Sequence, residues 1–129
     1  MKIDFTNIAR SDDSGYRTAG QLVIDSEAQW ADLWREHASD TLPPPPVPAV
    51  DFARDVVIAV FAGEKRTSGY SVEILAVETR SSQMNARPVL VVRIKHRQPG
   101  VVTEDVLTRP YHIVRMPKPD YGQVTFEPA

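Results

Sequence analysis

The chain has 129 residues, which is the size of one domain, so residues 1–129 are read as a single unit. Fifteen Lys and Arg against seventeen Asp and Glu leave a net charge of −2, which excludes a basic footprint for nonspecific nucleic-acid binding. Cysteine is absent, so there is no disulfide frame, thiol nucleophile or Cys-ligated metal site, and 42% hydrophobic residues exclude disorder for the bulk of the chain.

The opening MKIDFTNIAR carries no apolar run of signal-peptide length, and no window approaches a membrane span. As written, the chain is expected to be soluble and cytoplasmic. An envelope or secreted setting would apply if a leader had been removed. Ile3 to Ala9 reads as a short strand, Asp12-Asp13-Ser14-Gly15 as a turn, and Gln21 to Ile24 as a second strand. Ser26-Glu27-Ala28-Gln29 fits a capping box, in which the hydroxyl and the Gln amide each satisfy an orphan backbone N–H. Trp30, Leu33, Trp34 and His37 follow at helical spacing, so the spacing predicts an amphipathic helix whose aromatic stripe docks on a sheet.

Pro43, Pro44, Pro45, Pro46 and Pro48 fix φ and remove donors, so residues 43–48 are expected to be an extended polyproline connector on the surface. After Asp55 the pattern turns to β. Val56 to Phe61 is apolar on both faces, as a central strand requires. Tyr70 to Ile74 alternates, Val89 to Lys95 begins apolar and then alternates, and Tyr111 to Met116 and Gln123 to Phe126 complete the set. The expected fold is α+β: an antiparallel meander sheet of about five to seven strands with one amphipathic helix packed on it.

Chemistry is sparse. His37, His96 and His112 show no close ligand spacing. His96 and His112 lie on different strands, and a metal-assisted hydrolase built on them, with Glu104, stays open as an alternative. No nucleophile elbow, phosphate loop or dinucleotide fingerprint occurs, so no catalytic residue, metal or cofactor is assigned.

The loops say more. In an up-and-down order the first and third connections after Phe61 share one end of the sheet. That places Lys65, Arg66, Thr67, Ser68, Gly69 and Tyr70 beside Arg109, Pro110 and Tyr111. Tyr and Arg are common binding anchors, so these nine residues form the candidate partner-binding surface. The plainer reading is that Gly69 permits a turn, Pro110 starts a strand, and Tyr70 and Tyr111 form a cross-strand core pair. Val101-Val102 is expected to add an edge strand, and a homodimer to follow from it.

The runs Val57-Ile58-Ala59-Val60-Phe61-Ala62-Gly63-Glu64-Lys65, Thr67-Ser68-Gly69-Tyr70-Ser71-Val72 and Pro110-Tyr111-His112-Ile113-Val114 resemble the PrcB C-terminal domain family. Trp30-Ala31-Asp32-Leu33-Trp34 is similar to the region upstream in that family, and the resemblance spans roughly Ile3 to Phe126. It implies a non-enzymatic accessory protein that stabilises or holds a protease, often in an envelope or secreted setting. A second resemblance, through Thr67-Ser68-Gly69-Tyr70 and Arg109-Pro110-Tyr111, is to the chagasin-like cysteine-protease inhibitors. These carry similar loops on an immunoglobulin-like sandwich, with Trp where this chain has Tyr111. That resemblance implies protease inhibition as the alternative.

Overall fold

The computed structural model describes residues 1–81, 83–84 and 86–129. Eight strands and one helix follow in the order β1 (Lys2–Ile3), β2 (Thr6–Ser11), β3 (Gly20–Ile24), α1 (Glu27–His37), β4 (Asp55–Phe61), β5 (Ser71–Arg80), β6 (Val89–Arg97), β7 (Tyr111–Pro117) and β8 (Gln123–Pro128). The class is α+β, as expected, with a strand count slightly above the expected range.

The strands do not form one meander. They form two four-stranded sheets, ordered β1-β5-β6-β8 and β2-β7-β4-β3. Every pairing is antiparallel except β6 with β8. β4 pairs with β3 and β7 rather than with its successor β5. Six consecutive residues of β4, Val56 to Phe61, are buried, so it is covered on both faces wherever it pairs. The long connections on either side of the β5–β6 hairpin carry the chain from one sheet to the other. The segment read as one strand at Ile3 to Ala9 likewise splits, with β1 in one sheet and β2 in the other.

The alternation of β4 and β7 divides the core into two layers. Val56, Ile58, Val60, Val114 and Met116 face the sheet of β5 and β6 and pack on Val72, Ile74, Val77, Leu90, Val92 and Ile94. Val57, Ala59, Phe61, Tyr111 and Ile113 face α1 and pack on Trp30, Leu33, Trp34 and Ala38. The helix therefore docks where its stripe predicts. Ser26 caps it, its Oγ accepting the Gln29 N–H, while Gln29 Oε1 accepts the Asp25 N–H at 3.4 Å.

The proline run is exposed and outside both sheets. It is also tied down. The Trp30 indole N–H donates to the Pro48 carbonyl at 2.9 Å, and the Trp34 indole N–H donates to the Pro45 carbonyl at 3.0 Å. Prolines lack a donor but keep the acceptor, so the buried indoles find partners in a segment that cannot join a ladder.

Candidate functional site

The connections 62–70 and 98–110 share one end of the molecule, as alternation along the chain predicts. They are cross-tied. Lys65 and Thr108 exchange main-chain hydrogen bonds at 2.8 and 2.9 Å, and the Ser68 N–H donates to the Glu104 carbonyl at 3.0 Å. Ser68 Oγ accepts the Glu104 N–H at 3.0 Å, and Thr108 Oγ1 donates to the Thr67 carbonyl at 3.1 Å. Lys65 Nζ lies 5.2 Å from the centroid of the Tyr70 ring. Gly69 sits at φ 95°, and a Cβ there would come within 2.5 Å of Pro99 Cβ. Only glycine fits both that backbone and that approach.

The nine anticipated residues separate into two groups. Lys65, Thr67, Ser68 and Tyr70 are half-buried in this frame, and Arg66 and Gly69 are exposed on it. Pro110 and Tyr111, like the neighbouring Thr108, turn inward. Tyr111 packs its ring edge-on against His37 at 4.4 Å, in the layer under α1. Burial pushes the Tyr111 hydroxyl above its usual range, with Asp13 and Asp12 adding to the shift. Tyr111 is therefore a core residue and not an exposed anchor. Its register partner is Phe61, not Tyr70, because β7 pairs with β4.

Arg109 is committed within the molecule. Its Nε and Nη2 donate to Glu64 Oε1 at 3.1 and 2.7 Å, and its Nη1 donates to Asp40 Oδ2 at 2.7 Å. Its main chain joins Asp12 and Ser14, and the Gly15 N–H donates to the His37 carbonyl at 2.7 Å. Arg109 thus fastens the segment 12–15, the Glu64 loop and the C-terminal end of α1 to the start of β7. The side chain is only 16% exposed, and its hydrogen bonds to Glu64 hold its charge still more firmly than usual.

Sequence reasoning missed what lies at the tip. Val101 and Val102 form no strand. With Val106 and Leu107 they stand exposed on the connection, Val102 at 93% and Leu107 at 61%. Four such residues among Glu104, Asp105 and Gly100 are the available signal, since connections are usually polar.

The histidines do not meet as metal ligands. His112 is buried between the sheets, with both ring nitrogens engaged: the Ile74 N–H donates to Nδ1 at 2.9 Å, and Nε2 lies 2.6 Å from Asn7 Oδ1. No lone pair is left for a cation, and His96 is exposed on β6. Among the described residues no group of three His, Asp or Glu could hold a metal ion. His37 Nδ1 lies 2.7 Å from Ser14 Oγ, which also accepts the Tyr16 N–H. Ser14 is completely buried, so the pair supports packing and presents no nucleophile.

These features define an α+β domain of two packed sheets and one covering helix, with a cross-tied loop end and no helix long and apolar enough to cross a membrane among the described residues. Residues 56–117, β4 to β7 with both connections at the loop end, match the family model described as PrcB C-terminal. No curated protein and no solved structure matches the chain.

Proposed function

We propose that the protein is a non-enzymatic accessory module that binds another protein through the loop end, and that the partner belongs to a protease complex. The match of residues 56–117 to the PrcB C-terminal family model suggests an accessory domain associated with such a complex. The observation that carries the reading is the combination of a cross-tied base with an exposed apolar tip. Lys65–Thr108 and Ser68–Glu104 fix the two connections together. Val101, Val102, Val106 and Leu107 then offer contact area beside the exposed Arg66. Ordering the base before binding lowers the entropic cost of association. The inhibitor alternative is less well supported, because Pro110 and Tyr111 are core residues here and Arg109 is ion-paired within the molecule.

The test is affinity capture from the source cell with the whole protein and with two variants, Arg66→Ala and Val101→Ser/Val102→Ser. The expected result is one partner, identified by mass as a protease or a protease-complex subunit, whose recovery falls at least tenfold with the double variant. A partner held equally well by both variants would remove the loop end from the function. Titration against papain-like proteases addresses the alternative, and tight stoichiometric inhibition would replace our reading.

A further inference from the structure

Two four-stranded sheets have four outer strands, and three of them are blunted. β1 is two residues long. β2 carries a register shift between Asn7 and Ala9, and Arg10 on it reaches across to the Val72 carbonyl at 3.2 Å. β8 carries Glu127 and ends at Pro128. Bulges, charges, prolines and short length are the usual guards against edge pairing. β3 has none of them. Gly20-Gln21-Leu22-Val23-Ile24 contains no charge and no proline, and its register with β4 is unbroken.

Hydrogen-bond alternation shows which groups β3 leaves open. The Ala62 N–H donates to the Pro110 carbonyl, so Val60, Ile58 and Val56 bond to β7. Phe61, Ala59 and Val57 then bond to their register partners Gly20, Leu22 and Ile24 on β3. The N–H and C=O of Gln21 and Val23 point away from the sheet. Asp25, next in phase, has its N–H taken by Gln29 Oε1. Beside this edge lies a hollow of about 270 Å³, lined by Leu22, Val23, Ile24, Gln29, Asp32 and Leu33.

The geometry points to a strand-addition site: an extended peptide segment of a partner protein pairs with β3 as a fifth strand of its sheet, between the β3 edge and α1. Main-chain pairing with Gln21 and Val23 supplies the recognition common to all such ligands, and alternate side chains supply the choice among them. On the helix side, a peptide residue beside Leu22 enters the apolar hollow over Leu33. Asp25 follows directly at the end of the strand and Asp32, which also meets Arg35 at 3.1 Å, lines the hollow, so the preferred segment carries Lys or Arg flanking an apolar residue. This site lies along the side of the sheet and stands independently of the loop end.

Amide hydrogen exchange on the whole protein tests it, with the capped peptides Lys-Val-Lys-Val-Lys-Val, Lys-Leu-Lys-Leu-Lys-Leu and their Glu-for-Lys counterparts as probes. At saturating Lys peptide the Gln21 and Val23 amides should exchange at least tenfold more slowly, while Leu22 and Ile24, already bonded to β4, change little. The Glu peptides should bind at least tenfold more weakly. Gln21→Pro removes only an outward donor, so it should keep the fold and lose at least tenfold in peptide affinity. The site is overturned if no peptide protects Gln21 and Val23 in the wild-type protein, a measurement that stands whether or not the proline variant folds. It is equally overturned if folded Gln21→Pro binds unchanged, or if protection appears without peptide and grows with protein concentration, which would assign the edge to a second copy.

Discussion

His112 Nδ1 accepts the main-chain N–H of Ile74 at 2.9 Å, across the gap between the two sheets. The Ile74 N–H is open on that side because β1 covers β5 only at Val77 and Glu78, and Arg10 takes the neighbouring Val72 carbonyl in the same way. Two side chains of one sheet thus stand in for the strand that β5 lacks.

This contact makes stability depend on pH. An acceptor at Nδ1 requires the neutral ring, with the proton on Nε2 facing Asn7 Oδ1. Burial first and Arg10 second push the His112 pKa down to about 4, against a smaller opposing pull from Glu73. A folded pKa below the unfolded value contributes stability that is present above pH 6.5 and lost as pH falls toward 4. The full shift corresponds to ~3 kcal/mol. Burial lowers the His37 pKa too, against an opposing pull from Asp13, so His37 contributes a pH dependence of the same sign. Urea unfolding at pH 7, 5.5 and 4, with the His112 ring followed by NMR, checks this. A flat profile, or a ring that titrates near 6.5, would contradict it.

Trp34 packs under the sheet and donates to the Pro45 carbonyl. Trp34→Ala should cost ~3–5 kcal/mol, the usual range for a buried large ring. Trp34→Phe keeps most of the packing and loses the hydrogen bond, so it should cost less, ~1 kcal/mol or somewhat more. Equal losses in denaturant midpoint for the two variants would show that the indole N–H, and not the ring, dominates.

Replacing Pro43 to Pro46 by Ser should leave the fold intact. The carbonyl that Trp34 uses is main chain and survives the change. What is lost is stiffness in the unfolded chain, up to ~1 kcal/mol per position. A variant with native circular dichroism and a moderately lower midpoint is expected; an unfolded variant would give the segment a packing role that its exposure does not suggest.

Arg66 and Arg109 should behave oppositely. Arg109 joins Glu64 and Asp40 and holds three segments at the start of β7, whereas Arg66 is exposed. Arg109→Ala should lower the melting temperature by several degrees, and Arg66→Ala should leave it within about a degree while weakening partner capture. Matching melting curves for both variants would remove the fastening role of Arg109.

The helix, its cap and its docking face were legible because Trp30, Leu33, Trp34 and His37 repeat at a helical period, and β4 because it is apolar on both faces. The neighbourhood of the two loops was legible from alternation along the chain. What alternation does not specify is which strand pairs with which. An apolar strand reads the same beside β5 as between β3 and β7, and only the distant partners decide. The same non-locality hid Glu64 and Asp40, ordinary loop carboxylates until the fold brings Arg109 to them. It also made Tyr111 look like an anchor, although β7 turns it toward α1.

The segment 56–117 supplies β4 and β7, yet their helix-side residues Val57, Ala59, Phe61 and Ile113 are covered by α1 and flanked by β3, all from before residue 56. The other outer neighbour, β2, reaches β7 from still further back: Asn7 and His112 meet across 105 residues. Assembly therefore cannot proceed vectorially as the chain emerges. α1 and β3 must wait, with two tryptophans uncovered, until β4 and then β7 arrive, and closure comes late and all at once. Such dependence on remote pairing belongs to slow folders, in the range of milliseconds to seconds. During that interval the unguarded β3 strand and the tryptophan stripe are the surfaces most in need of a chaperone.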